Sequence, residues 1–460
     1  MTNPAPQRPT IGLAAAAAAV VASMIGAGVF TTSGFTLAAL GKPSLVLLTW
    51  GLGGLLALCG AIAYGALAAE LTENGGEYLF LSRRWHPIVG MAAGLVSMLA
   101  GFTGAIALVA RVSAEHLVGL LTATWTIDVG GLAAAIVLLA AAAHLVGLKP
   151  GARVQTATVA LLLLALVAVT VVLFLAPVAA VAPAHATTSD TAAASPTAGL
   201  VRELAISLVW VSLSYCGFNA AVYITRDVRE PESTIPRALI WGTLLTTGLY
   251  LLFNAAMLRA GPTIAGRPDV AVAAMTVARP AVVPWLQATI ALATFTSVSV
   301  GVMTGPRVYA QMAADGLLPS FFAVSAEAPD DVPRRAIVAQ TLAAMAAAAV
   351  ATITTFLDTL GLTLSISAAA AVAMVFRLKS PARPLQRVAA GVFVVATLGL
   401  AAVMAVSVPR RAIAAALTLA VSLAVSVAVH RRRRSLGDVR REGASRSEAD
   451  AAAEAPHSLR

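Results

Sequence analysis

Ser23-Met24-Ile25-Gly26-Ala27-Gly28-Val29-Phe30 interrupts an otherwise apolar run over residues 11–40. Two glycines two positions apart weaken a helix, each by about 1 kcal/mol relative to alanine. Within hydrocarbon, open backbone is tolerated only where it is buried in protein or lines a cavity. A second interruption lies at Ser214-Tyr215-Cys216-Gly217-Phe218-Asn219-Ala220 and adds an amide side chain in mid-run. Taken singly, each reads first as a small-residue face for helix packing. Their positions along the chain argue for more.

The rest of the 460-residue chain is strongly apolar. Residues of the AVILMFWYC set make up 59% and charged residues 11%; soluble domains have about 45–50% and 25%. Mean hydropathy is +0.87. So few charges cannot cover a soluble surface, and a disordered chain would need low hydrophobicity. The two cysteines, Cys59 and Cys216, both lie in apolar runs and exclude a disulfide scaffold. A spanning helix needs ~20 apolar residues. Twelve stretches qualify: 11–40, 44–69, 88–110, 128–147, 154–176, 203–225, 237–259, 281–310, 336–357, 359–377, 386–407 and 411–429. No stretch alternates with period two, which argues against a β-barrel.

Lysine and arginine set the orientation. With the N-terminus inside, 15 fall in inner loops, 8 in outer loops and 8 in the tail. Even without the tail, this places both termini on the cytoplasmic side. The net charge of +10 then has a topological cause, and no nucleic-acid partner is expected. MTNPAPQRPT has no small-residue cleavage site after a short apolar core, so the first run reads as a retained helix. Residues 430–460 read as a disordered basic tail, either a stop-transfer anchor or a contact for anionic lipid.

On this count the interruptions fall in spans one and six, which run in opposite directions. That is the pattern of two five-helix repeats of inverted topology, with discontinuous helices meeting at the midplane. The expected fold is an all-α integral membrane protein with twelve transmembrane helices. It is a five-plus-five inverted repeat with helices 1 and 6 broken, plus two extra C-terminal helices. The expected segments are a cytoplasmic piece 1–10, repeats 11–176 and 203–377, helices 11–12 at 386–429 and a basic cytoplasmic tail 430–460. A broken helix leaves free amides at one half's N-terminus and free carbonyls at the other half's C-terminus. The amides suit a carboxylate and the carbonyls an ammonium. A zwitterionic α-amino acid carries both on one carbon.

At these residues the sequence resembles the amino acid–polyamine–organocation superfamily. Four segments carry the likeness: SMIGAGVF; Glu70-Leu71-Thr72-Glu73-Asn74-Gly75-Gly76-Glu77-Tyr78-Leu79; residues 215–239; and Arg307 to Pro319, followed by Val332-Pro333-Arg334-Arg335-Ala336. The second resembles an acidic residue followed by a Gly-Gly-x-Tyr turn. The resemblance spans residues 10–380. It implies that Gly26, Ala27 and Gly28 present amides to a carboxylate, with Ser23 and Ile25 supplying oxygens near the amine. It implies that Tyr215, Cys216 and Phe218 line the span-six break and that Asn219 ties that break to the substrate region. The plainer reading of Asn219 is a satisfied interhelical hydrogen bond. Leu213 and Gly301 stand where many relatives place aromatic gates; these losses are expected to widen the pocket or move the gate to Phe218 or Phe102. Leu162 stands where several relatives carry a lysine on span five.

Span centres hold almost no ionisable groups. His144 lies near the end of span four, and Glu70, Arg226, Asp227, Arg307 and Asp315 lie at cytoplasmic ends. These read either as snorkelling interface charges or as an inner gate of ion pairs formed by Glu70, Arg226, Asp227 and Arg307. Met98, Phe102, Phe218 and Ser365 or Ser367 would line a side-chain pocket of low polarity, which favours a neutral amino acid. The expected function is therefore an amino acid permease of the cell membrane, not an enzyme, with no catalytic residue, cofactor or metal. Alternatives are a cationic amino acid or polyamine carrier and, more distantly, a non-transporting receptor. No phosphate-binding loop, carbonyl or acidic filter, or serine–histidine pair points to a pump, channel or protease. Ser297 and Thr296 could hold Na⁺ with span-one carbonyls, or Ser297 could bond back to its own helix. The favoured expectation is an ion-independent carrier or exchanger, because no carboxylate stands at a span centre to take H⁺. A monomer or homodimer is expected.

Overall fold

The computed structural model describes residues 10–121, 128–176, 196–324, 332–350 and 353–453. Among the described residues the architecture is all-helical, with one isolated bridge between Ile11 and Val228. α1 (Leu13–Met24) and α2 (Gly28–Leu40) form the first interrupted run and bend by 43° at the break. α3 (Pro43–Glu70) follows, then the short α4 (Glu77–Arg84). α5 (Pro87–Val96) and α6 (Ala105–Leu121) are joined by a π-helical stretch, Ser97–Gly104. α7 (Val129–Leu145) and α8 (Leu148–Leu175) come next. α9 (Pro196–Ser214) passes through an irregular turn into a 3₁₀ stretch, Ala220–Asp227. The chain continues through α10 (Pro231–Leu258), α11 (Val270–Ala278), α12 (Val283–Ala314), α13 (Arg334–Val350), α14 (Ile353–Ala373), α15 (Pro384–Ser407) and α16 (Pro409–Ala453).

Local chemistry sets several of these limits. Proline stands in the first turn of α3, α10, α12 and α15, where its missing N–H costs nothing. Gly41, at φ 66°, closes α2 in the left-handed conformation. Seven described spans are long and apolar enough to cross a membrane, and the bent pair α1/α2 makes an eighth. The exterior is apolar like the core: Leu175 is 75% and Val406 82% exposed, while some polar residues, Asn254, Thr225 and Thr294, are fully buried. An apolar exterior suits lipid as the outer solvent.

α1 packs against α8, α10 and α12, and α9 against α2, α3 and α15, so both breaks lie inside the bundle. One expectation fails at the C-terminus. Residues 430–453 are not a disordered tail: α16 runs on through Arg431–Arg434 to Ala453. Alanine, arginine and glutamate are good helix formers, and a helix already begun needs no new nucleus. Residues 1–9 and 454–460 of the expected terminal segments lie outside the described residues.

Candidate functional site

The two breaks cross each other. At the first, Ile25 leaves α1 with ψ 84°, and the Gly26 amide turns back to Met24 O at 2.9 Å. Ala27 then caps α2. The first amides of a helix lack intrahelical partners, and that end attracts anions. Gly26, Ala27 and Gly28 are half-buried. The two glycines differ in role. A Cβ added at Gly26 would meet nothing nearer than Ser297 Oγ, 3.9 Å away, whereas one at Gly28 would collide with Ser214. Gly26 has room for a Cβ beside Ser297; Gly28 is a close packing contact.

The second break spans residues 215–219. Gly217 has φ 101°, a conformation that disfavours any side chain, and a Cβ there would collide with Ser23. The crossing is therefore reciprocal: Gly28 lies on Ser214, and Gly217 lies on Ser23. Tyr250 of α10 joins the two ends. Its hydroxyl is shared between Met24 O at 2.5 Å and Ser214 O at 3.1 Å, the final helical carbonyls of α1 and α9. Thr32 and Ser214 hydroxyls bond at 3.0 Å across the same junction.

The remaining candidates scatter. Ser23 is half-buried and Ile25 fully buried. Tyr215 is buried, donating to Trp50 O at 2.9 Å beside the Trp50 and Tyr250 rings. The Cys216 side of the turn is exposed. Phe218 turns the other way, between Tyr64 and Phe393. Consecutive side chains of a tight turn diverge, so residues 215, 216 and 218 do not share one surface. Phe102 is buried against Tyr223 and Tyr309. The expected widening at Gly301 is filled by Ile106, which a Cβ on Gly301 would strike at 2.8 Å. Leu213 packs on Gly361. Met98 and Ser365 are half-buried, with Ser365 Oγ bonded to Gly361 O at 2.8 Å, and Ser367 is buried.

Of the candidate ion ligands, Ser297 is half-buried opposite Gly26. Thr296 is buried; its hydroxyl donates to Ala293 O at 2.7 Å, and its carbonyl accepts from Gln155 at 3.2 Å. The candidate gate divides into separate pairs. Arg307 meets Asp227 at 2.5 Å, and Asp227 O accepts the Thr10 and Ile11 amides at 3.1 Å. Glu70 pairs with Arg84 and accepts the Lys379 and Ser380 amides. Arg226 is exposed, and its backbone amide bonds Asn74 Oδ1 at 2.8 Å. Arg83 bridges Glu73 at 2.8 Å and Asp315 at 3.0 Å, and Tyr78 donates to Asp315.

Sequence reasoning missed Glu77. Its carboxyl is 4% exposed and accepts from Tyr64 at 2.7 Å, Asn219 at 2.7 Å and Tyr223 at 2.8 Å. Asn219 therefore ties the span-six break to a loop carboxyl. Burial pushes the Glu77 carboxyl above its ordinary range, and the three donors act against that. The only signal in the sequence was an acidic residue in a Gly-Gly-x-Tyr turn, which reads as surface loop.

Crossing broken helices inside an apolar, multi-pass bundle define the class: a helical membrane protein whose centre is made of two crossing helix breaks. The chain belongs to the amino acid permease family, whose profile matches residues 11–429, within the amino acid–polyamine–organocation superfamily. It is 26% identical to the human large neutral amino acids transporter small subunit 2 over 329 residues, 68% of this chain and 59% of that one. It is 25% identical to the serine/threonine exchanger SteT of Bacillus subtilis (strain 168) over 254 residues, 54% of each chain. It is 24% identical to the mouse b(0,+)-type amino acid transporter 1 over 251 residues, 54% of this chain and 50% of that one. The chain thus spans 50–59% of the length of these curated relatives.

Proposed function

We propose that this chain moves neutral, zwitterionic amino acids across the cell membrane by alternating access. The observation that carries the reading is the half-buried amide end at Gly26–Gly28, where a Cβ on Gly26 would meet only Ser297 Oγ, at 3.9 Å. The amides would hold the α-carboxylate, and the Ser23 and Ile25 carbonyls at the end of α1 the amine. Ser297, Met98 and Ser365 carry no charge, which supports a neutral substrate side chain. The named substrates of two relatives, large neutral amino acids and serine/threonine, support the same class. Cationic amino acids are the second reading, supported by the b(0,+)-type relative.

The frame of this proposal is twelve spans in a five-plus-five inverted repeat, with both termini cytoplasmic. The reciprocal Gly28–Ser214 and Gly217–Ser23 contacts support it, because each half contributes one glycine and one serine. In the same frame the Asp227–Arg307 pair is the inner gate, and Glu70–Arg84 is a second pair beside it.

A thermal-shift screen with the twenty amino acids and putrescine tests the substrate class, because a ligand bound only to the folded state raises its stability. Neutral amino acids should stabilise and putrescine should not. Stabilisation by putrescine or arginine alone would overturn the class. Radiolabelled uptake into proteoliposomes tests transport: binding without uptake would indicate a receptor.

A further inference from the structure

The ring of partners around the Glu77 carboxyl holds no cation. Tyr64 reaches it from α3, Asn219 from the end of the span-six break, and Tyr223 from the 3₁₀ stretch that follows. Cations on neighbouring segments are engaged elsewhere. Arg83 pairs with Glu73 and Asp315, Arg84 with Glu70 and Arg307 with Asp227; Arg377 lies over the Trp85 ring, and Arg226 is exposed. The other titratable group near this cluster is the Cys216 thiol, within electrostatic reach of Tyr223.

A buried carboxylate without a cation stays ionised only while hydrogen bonds replace its lost water. Here three donors do so, distributed over both carboxylate oxygens, and two of them belong to one moving part. Alternating access requires the inner portion of span six to shift relative to α3 and α4. That shift withdraws Asn219 and Tyr223 together and leaves Tyr64 alone.

We propose that Glu77 is a proton-binding site of this carrier. It is ionised while Asn219 and Tyr223 hold it with the inner side closed and protonated when the inner part of span six moves away. H⁺ therefore binds from the inner side after the amino acid leaves, is released once that side closes, and moves outward in exchange for the amino acid. The inference rests on the carrier reading above. The proton comes from the aqueous phase and returns to it, so the step needs no other partner. Burial already lifts the carboxyl, and withdrawing two of its three side-chain donors removes part of what opposes that lift, leaving Tyr64 and the backbone. The buried carboxyl that proton coupling lacked at the span centres is thus supplied by a loop folded against a span.

Two measurements on the full-length protein test this. The first is independent of transport: infrared difference spectra across a pH titration of the purified protein. Wild type should show a protonated-carboxyl band that Glu77→Gln lacks and Glu77→Asp retains at a shifted midpoint. Identical spectra for wild type and Glu77→Gln would overturn the proposal, whatever the protein transports. The second uses proteoliposomes loaded with a pH-sensitive dye and supplied with radiolabelled L-leucine or L-serine. An outward H⁺ gradient of about two pH units, acid inside, should drive up to about 100-fold accumulation for one H⁺ exchanged per substrate, since each unit is a factor of ten. The dye should report loss of internal H⁺ in step with uptake, and Glu77→Gln should lose both. Uptake in wild type that is indifferent to the gradient would overturn the proposal while leaving the carrier reading intact. Neither substrate moving, with the infrared band present, would sink the carrier reading and leave the proton site standing.

Discussion

The break in span one is held open by what it lacks, and the break in span six by what grips it. Around the Gly26 Cβ position only Ser297 Oγ comes within ordinary contact, at 3.9 Å, and the α2 start is half-buried. Around residues 215–219, Tyr215 is anchored on Trp50, Phe218 on Tyr64 and Phe393, and Asn219 on Glu77. Similar local unwinding thus produces two devices. In the proposed function the first is the one that would meet a ligand. The second is tied by its side chains to α3, α15 and the α4 loop. A pair of breaks with one binding and one connected can couple occupancy to movement; two identical ones could only bind.

The strongest way to break this contrast is Gly26→Leu. A bulky side chain should fill the room beside Ser297 and weaken amino acid binding by about 100-fold, roughly 3 kcal/mol, while the protein still inserts. Unchanged affinity in a well-folded Gly26→Leu protein would refute the site. Thermal-shift titration with the best substrate reads it.

Gly217→Ala should act on stability instead. It combines a strained φ of 101° with a collision on Ser23, and such strain costs of order 1–3 kcal/mol. Thermal unfolding in detergent checks this. Gly26→Ala, whose Cβ meets only Ser297 Oγ at an ordinary 3.9 Å, is the matched control and should unfold like wild type.

Tyr223→Phe sharpens the second device. Losing a donor disfavours the ionised form of Glu77, so its carboxyl should be pushed further up. The midpoint of the infrared titration should then move to higher pH, by up to about one unit, the equivalent of one modest hydrogen bond. A midpoint moving down would show that Tyr223 stabilises the protonated form.

The smallest effect is expected at Cys216. As the exposed position in the turn, it should react with a small methanethiosulfonate in the folded protein, and a bound neutral amino acid should slow the reaction several-fold. Mass spectrometry on a Cys59→Ser background measures it. Labelling at equal rates with and without ligand would place the thiol outside the substrate space.

Both breaks were legible because their cause is local: glycine spacing weakens a helix wherever the helix lies. The role of each residue inside them was not. Gly26 and Gly28 look alike in sequence, yet a Cβ on one would sit at ordinary distance from Ser297 and a Cβ on the other would collide with Ser214. Tyr215 and Phe218 looked like lining residues, but the turn sends them into opposite interfaces. The missing aromatic at Gly301 looked like a wider pocket, but Ile106 occupies the volume. Each depends on a neighbour far along the chain, which no local pattern encodes.

Composition alone determined that this chain lives in a membrane, since 59% apolar and 11% charged residues leave no other solvent for its surface. Glycine placement determined where two helices break. Tertiary structure alone decided that Glu77 is buried rather than a loop charge. Its partners Tyr64, Asn219 and Tyr223 lie 13, 142 and 146 residues away. Solvation of a charge is set by what surrounds it in space, and only folding brings those three donors around one carboxyl.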